Sequence, residues 1–167
     1  MKKIIFSIIA LFTINLYAQV DMNLTDTNGT EYTVVAENNS IKIEGMEGKV
    51  VFLEFFGLQC PACKEAMPHL INLQEKYKDK LQVLAIEVQN NEIDQINEYK
   101  AAHGINYTTF SNYDIGRLVR YVADKSNWQG AIPYTIAIDP TGEVLFAQAG
   151  VIDEKTLEEY INKYSVK

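Results

Sequence analysis

Cys60-Pro61-Ala62-Cys63 are the residues with the clearest chemistry, and these two cysteines are the only ones in the 167-residue chain. They follow an apolar stretch over 50–58 that begins as a buried strand and lead into a stretch over 64–77 that reads as a helix. A Cys-x-x-Cys at a strand-to-helix corner is a reversible dithiol/disulfide placed where it can react. A structural staple closes a longer loop, because joining residues three apart removes little entropy from the unfolded chain. The pair is therefore read as chemistry rather than scaffolding.

Position separates the two sulfurs. Cys60 starts the helix, where unpaired backbone N–H groups and the positive dipole end favour thiolate, so it is the expected attacking residue. Cys63, one turn in and more covered, is the resolving one. The kinetic gain is modest. Lowering a thiol from about 8.5 to about 7 raises the thiolate fraction at neutral pH roughly sixteenfold. A Brønsted slope near 0.45 makes each thiolate about fivefold less nucleophilic, leaving about threefold. The shift matters more for leaving-group ability and redox potential. Pro61-Ala62 carries no charge or imidazole to hold an extreme thiolate, which favours a reductant over a strong oxidant.

Other candidate groups are few. Glu54 interrupts Val50–Phe56, and alternation puts it on the face of Val50, Phe52 and Phe56. A carboxylate buried there is costly unless neutral or partnered, and an acid bonded within the sheet is the competing expectation. His69 and His103 are the only histidines and sit on expected helices, as solvated residues. Two thiolates and a distant His make no metal site, since structural zinc wants four ligands. Arg117 and Arg120, the only arginines, read as a solvated helix face.

The elements that must position these groups alternate. Strands are expected over 50–56 and 81–88, with a short one over 105–110. Helical spacing links Ala62, Ala66, Leu70, Leu73 and Tyr77, and again Ile115, Leu118, Val119, Val122 and Ala123. Asn91 is the expected cap of a helix ended by Gly104. Strands over 133–138 and 143–149 join through Asp139-Pro140-Thr141-Gly142, so they are antiparallel. Leu157, Tyr160, Ile161 and Tyr164 mark a last helix. Ahead of all this, Asn28-Gly29 signals a β-hairpin extension. The whole is an α/β sandwich with a mixed central sheet.

Residues 1–18 have a short basic start, an apolar run of about a dozen residues and Ala18, as in a secretory signal peptide. The run is short for a membrane span of about 20 residues. An uncleaved anchor is the alternative, since Leu16 is bulky for a cleavage site. Residues 19–167 are then one domain. The formal charge of −7 becomes −9 without Lys2 and Lys3, and no basic cluster points to nucleic acid or anionic lipid.

The chain resembles the thioredoxin superfamily, and within it the exported TlpA/ResA-like thiol-disulfide oxidoreductases. The matching pieces are Gly48 to Phe56, Cys60-Pro61-Ala62-Cys63, Pro68, and Gly130-Ala131-Ile132-Pro133 running on to Asp139, over about residues 30–163. The resemblance implies a thioredoxin fold with a helical insertion before the cis-proline strand. It implies a cis bond at Ile132-Pro133 beside a Cys60–Cys63 redox disulfide, and a proline kink at Pro68. Ile132 and Pro133 would then meet an extended substrate. Trp128, five residues before Pro133, is expected from that closeness to line the approach to the dithiol. Glu54 stands six residues before Cys60, where thioredoxin carries its buried acid, and would accept the Cys63 proton. Two positions depart from the family: Gln59 replaces the usual Trp, and Ala66 stands where ResA-like members often carry an acid.

The expected function is reduction of disulfides in other exported proteins, in the periplasm. Electrons would come from a membrane thiol donor, with no organic cofactor. A disulfide-forming oxidase or isomerase on the same residues is the alternative. A periplasmic copper-binding protein using the two thiolates is the rival from another class.

Overall fold

The computed structural model describes residues 19–165; the expected leader over 1–18 lies outside them. The first strands are β1 (Val20–Thr25), β2 (Glu31–Glu37) and β3 (Ser40–Ile43), paired antiparallel in that order. The Asn28-Gly29 hairpin is present. Asp26 accepts the N–H groups of Asn28 and Thr30, and Gly29 takes the positive φ its turn needs. A third strand, which the sequence does not signal, extends the hairpin.

Five strands form the central sheet: β4 (Val50–Phe56), β5 (Leu81–Glu87), β6 (Thr108–Ser111), β7 (Tyr134–Ile138) and β8 (Val144–Ala149). Their order is β6-β5-β4-β7-β8, parallel through β4, β5 and β6 and antiparallel through β7 and β8. All seven residues of β4 are buried, because it lies mid-sheet with both faces covered. Helices α1 (Pro61–Lys76), α2 (Ile93–His103), α3 (Asn112–Ser126) and α4 (Glu154–Tyr164) complete the thioredoxin fold, with a helical insertion between β5 and β7.

Two apolar clusters flank the sheet. On one face Val51, Leu53 and Phe55 meet the N-terminal sheet through Met22, Leu24 and Val34, and α3 through Leu118 and Val122. On the other, Val50, Phe52 and Phe56 meet α1 through Cys63, Met67 and Leu70, and α4 through Leu157 and Ile161. The N-terminal extension is stitched to the β6 edge. Thr27 N–H donates to the Thr109 carbonyl at 2.9 Å, and the two hydroxyls lie 2.7 Å apart.

One expected cap differs. Glu92 precedes α2, and its N–H donates to Gln95 Oε1 at 3.0 Å. Asn91 is drawn away, with its N–H and side-chain amide both donating to Glu87. Gly104, left-handed at φ 65°, does end the helix.

Candidate active site

β4 runs out at Phe56, and after three intervening residues Cys60 caps α1 in an extended conformation. A turn closed by Cys60 N–H to the Gly57 carbonyl, 3.2 Å, swings the chain from sheet to helix. Pro61 suits the first helical turn because its missing N–H has no intrahelical partner there. Cys60 and Cys63 are joined as a disulfide. Cys63 N–H donates to Cys60 Sγ at 3.1 Å, so the first sulfur accepts from the helix N-terminus. Cys60 is 6% exposed and Cys63 1%, which leaves the first sulfur the more accessible.

The Ile132-Pro133 bond is cis, and the Ile132 carbonyl lies 3.8 Å from Cys60 Sγ. A disulfide sulfur has no proton to donate, so this approach is packing in the oxidised pair; in the dithiol it suits an S–H donor. Both ends of the loop are tied. Pro133 carbonyl accepts from Gly150 N–H at 2.8 Å, and Ala131 carbonyl accepts from Trp128 Nε1 at 2.7 Å. The indole itself packs on Phe55, with ring centroids 4.8 Å apart, in the cluster on the opposite sheet face from the cysteines. Ile132 packs against both clusters. Cys60, Cys63, Ile132 and Pro133 are thus together, while Trp128 touches the group through its loop.

Glu54 is 3% exposed, paired in register with Ala85 and Thr135, on the strand face that carries Phe52 and Phe56 toward α1. Its Oε2 has no hydrogen-bond partner. Burial pushes its carboxyl up to about 8. Tyr107, buried on the same side, has its phenol raised, first by burial and then by the Glu54 carboxylate. The Tyr99 hydroxyl on α2 is also buried without a partner, and burial raises it.

Sequence reasoning passed over three groups here. Tyr99 and Tyr107 carry no signal in the sequence that sets them apart from its other tyrosines. Glu87, at the end of β5, is 0% exposed, and it accepts from Gln89 N–H, Asn91 N–H and Asn91 Nδ2. Its only signal was an acid inside an apolar strand, the signal that did single out Glu54. The histidines lie elsewhere: His69 Nδ1 bonds the Ile152 carbonyl, and His103 stacks on Tyr99. Among the described residues no three His, Cys, Asp or Glu side chains converge on a common point.

The chain is similar to known proteins in sequence and in fold. Residues 20–147 match the AhpC/TSA family. The chain is 27% identical over 140 residues to the thiol-disulfide oxidoreductase ResA of Bacillus subtilis, covering 83% of this chain and 69% of that one. It is 29% identical over 131 residues to the thiol-disulfide oxidoreductase YkuV of the same organism, covering 75% and 84%. Among solved structures, a thioredoxin-family thiol:disulfide interchange protein of Chlorobium tepidum superposes with a TM-score of 0.67 at 17% identity, covering 90% of this chain and 96% of that one. StoA of Bacillus subtilis superposes with a TM-score of 0.63 at 15% identity, covering 86% and 98%. With a paired Cys-x-x-Cys on this fold, the chain belongs to the AhpC/TSA family of the thioredoxin superfamily, as a thiol-disulfide oxidoreductase.

Proposed function

We propose that the protein is an exported reductase of disulfides in other exported proteins, acting through Cys60 and Cys63 and recharged by a membrane thiol donor. The observation that carries this reading is Cys60 at the helix N-terminus, its sulfur 3.8 Å from the carbonyl that precedes the cis-proline. An attacking thiolate needs that electropositive end. An extended substrate needs exposed backbone beside it, as in strand addition. The leader-like residues 1–18 support export, and among the described residues no helix is long and apolar enough to cross a membrane.

The Cys60 thiolate attacks one sulfur of the substrate disulfide. A Cys60–substrate bond forms and the other substrate sulfur leaves as thiolate, taking a proton from water. Cys63 then loses its proton to Glu54 and attacks Cys60 Sγ. The mixed disulfide breaks, the second substrate thiol is released, and two electrons have passed from dithiol to substrate. Glu54, titrating near 8, is a base of suitable strength for a thiol. Ile132 and Pro133 bind the substrate backbone. Trp128 holds their loop through the Ala131 carbonyl.

Trapping tests the roles. Cys60→Ser should abolish reduction of a disulfide substrate such as insulin. Cys63→Ser should leave long-lived mixed disulfides on Cys60. Adducts on the Cys60→Ser protein, and none on the Cys63→Ser protein, would reverse the two roles. A glutathione equilibrium tests the direction: the expected potential lies nearer thioredoxin's, about −270 mV, and one above about −180 mV would make the protein an oxidant.

A further inference from the structure

We propose that Gln89 is a positioning residue for the dithiol: its side chain, folded across Gly57, holds the backbone of Gln59 and so fixes the turn that presents Cys60. The inference rests on reading Cys60 as the attacking sulfur. Gln59 N–H donates to Gln89 Oε1 at 3.0 Å. Within the turn, Cys60 N–H is already bound to the Gly57 carbonyl. Gln89 reaches the turn from just beyond β5 and takes the Gln59 N–H.

Gly57 supports this independently. It is not among the positive-φ glycines, so its backbone suits any residue. Yet a Cβ built on it would overlap Cγ, Cδ and Oε1 of Gln89, closer than real Cβ contacts come. Glycine stands here to make room for the Gln89 side chain rather than to turn the chain.

Gln89 is itself anchored. Val88 N–H donates to the Phe56 carbonyl at 2.9 Å, which carries the β4–β5 ladder one residue past the end of β5. Gln89 N–H then donates to Glu87 at 2.9 Å, and Asn91 binds the same carboxylate twice. A continuous hydrogen-bonded path therefore runs from a fully buried acid through Gln89 to the residue before Cys60. Gln89 is exposed, so truncating it removes this contact without opening the core.

The test combines amide exchange with turnover. In the wild-type protein the Gln59 amide should exchange slowly, and Gln89→Ala should release it. The same variant should lower kcat/KM for insulin reduction about fivefold, the size of one hydrogen bond, with the melting temperature little changed. Gly57→Ala should do at least as much, by expelling Gln89. The Gly57→Ala/Gln89→Ala double variant should lose no more than the worse single one, because both remove one contact. Gln89→Glu keeps the acceptor oxygen, so it should keep the Gln59 amide protected while its charge raises the titration of the Cys60 thiol. Losses that multiply, a fast Gln59 amide in the wild type, or Gln89→Ala at the wild-type rate would overturn the proposal. Protection that follows Gln89 in a wild-type protein without insulin-reducing activity would instead sink the reading of Cys60.

Discussion

Two glutamates are buried in neighbouring strands of the same sheet, and their surroundings differ. Glu87 is 0% exposed and accepts hydrogen bonds from two backbone N–H groups and a side-chain amide. Glu54 is 3% exposed, and its Oε2 meets no donor. Donors around Glu87 replace the water it gave up and tie a loop together. Glu54 has no such replacement, so its proton binds more tightly, to about 8. Equal burial therefore yields a structural fastener in one place and a group able to exchange protons in the other.

The largest expected effect that could break this contrast is the pH dependence of stability. The folded Glu54 carboxyl is raised from 4.5 to about 8, so the folded state holds this proton more tightly than the unfolded chain. The benefit is whole below about 4.5 and is lost as pH rises through about 8. Glu54→Gln should remove that decline and leave the variant relatively more stable at alkaline pH, by a few kcal/mol. Denaturant midpoints across pH 5–9 that fall in parallel for both proteins would erase the distinction. Next in size is turnover. At neutral pH roughly a tenth of a group titrating at 8 is ionised, so wild-type turnover should climb toward alkaline pH. Glu54→Gln should slow it by about 10²-fold or less near neutrality, with the deficit shrinking at high pH as Cys63 ionises unaided. A deficit that grows with pH would return Glu54 to a purely structural role.

Glu87 should behave oppositely. Glu87→Gln keeps one acceptor oxygen where two now serve three donors. It should cost about 1–3 kcal/mol of stability, read as a lower denaturant midpoint. An unchanged midpoint would mean that these bonds fasten nothing. The smallest effect concerns Trp128. It packs on Phe55, away from the cysteines, yet bonds the loop whose Ile132 carbonyl meets Cys60. Reducing the disulfide should therefore change its emission only slightly, less than direct contact with a disulfide would. Strong quenching in the oxidised form alone would bring the indole to the dithiol.

How far the sequence carried depended on the range of each contact. The Cys60–Cys63 corner, the Glu54 face, the Asn28-Gly29 hairpin and the 139–142 turn all follow from residues within a few positions of one another. Strand β3 did not, since four residues become a strand only when β2 lies alongside. Asn91 has the right chemistry for a cap, but Glu87 claims it. Gln89 gave no signal, because its partners Gly57 and Gln59 lie about thirty positions away. Trp128 was placed by its closeness in sequence to Pro133, which says nothing about the sheet face its ring packs on.

The stitch between Thr27 and Thr109 bears on the order in which the chain folds. The first strands made have their apolar partners on β4–β7 and α3, much later in the chain. They cannot dock until those segments exist, so the N-terminal sheet should form its packing late, after the Cys60 corner. Until it does, the part of that sheet face not covered by α3 and the β6 edge stay open to other chains. The segment before residue 45 therefore acts as the closing step of assembly, and removing it would leave a protein that folds its dithiol and then aggregates.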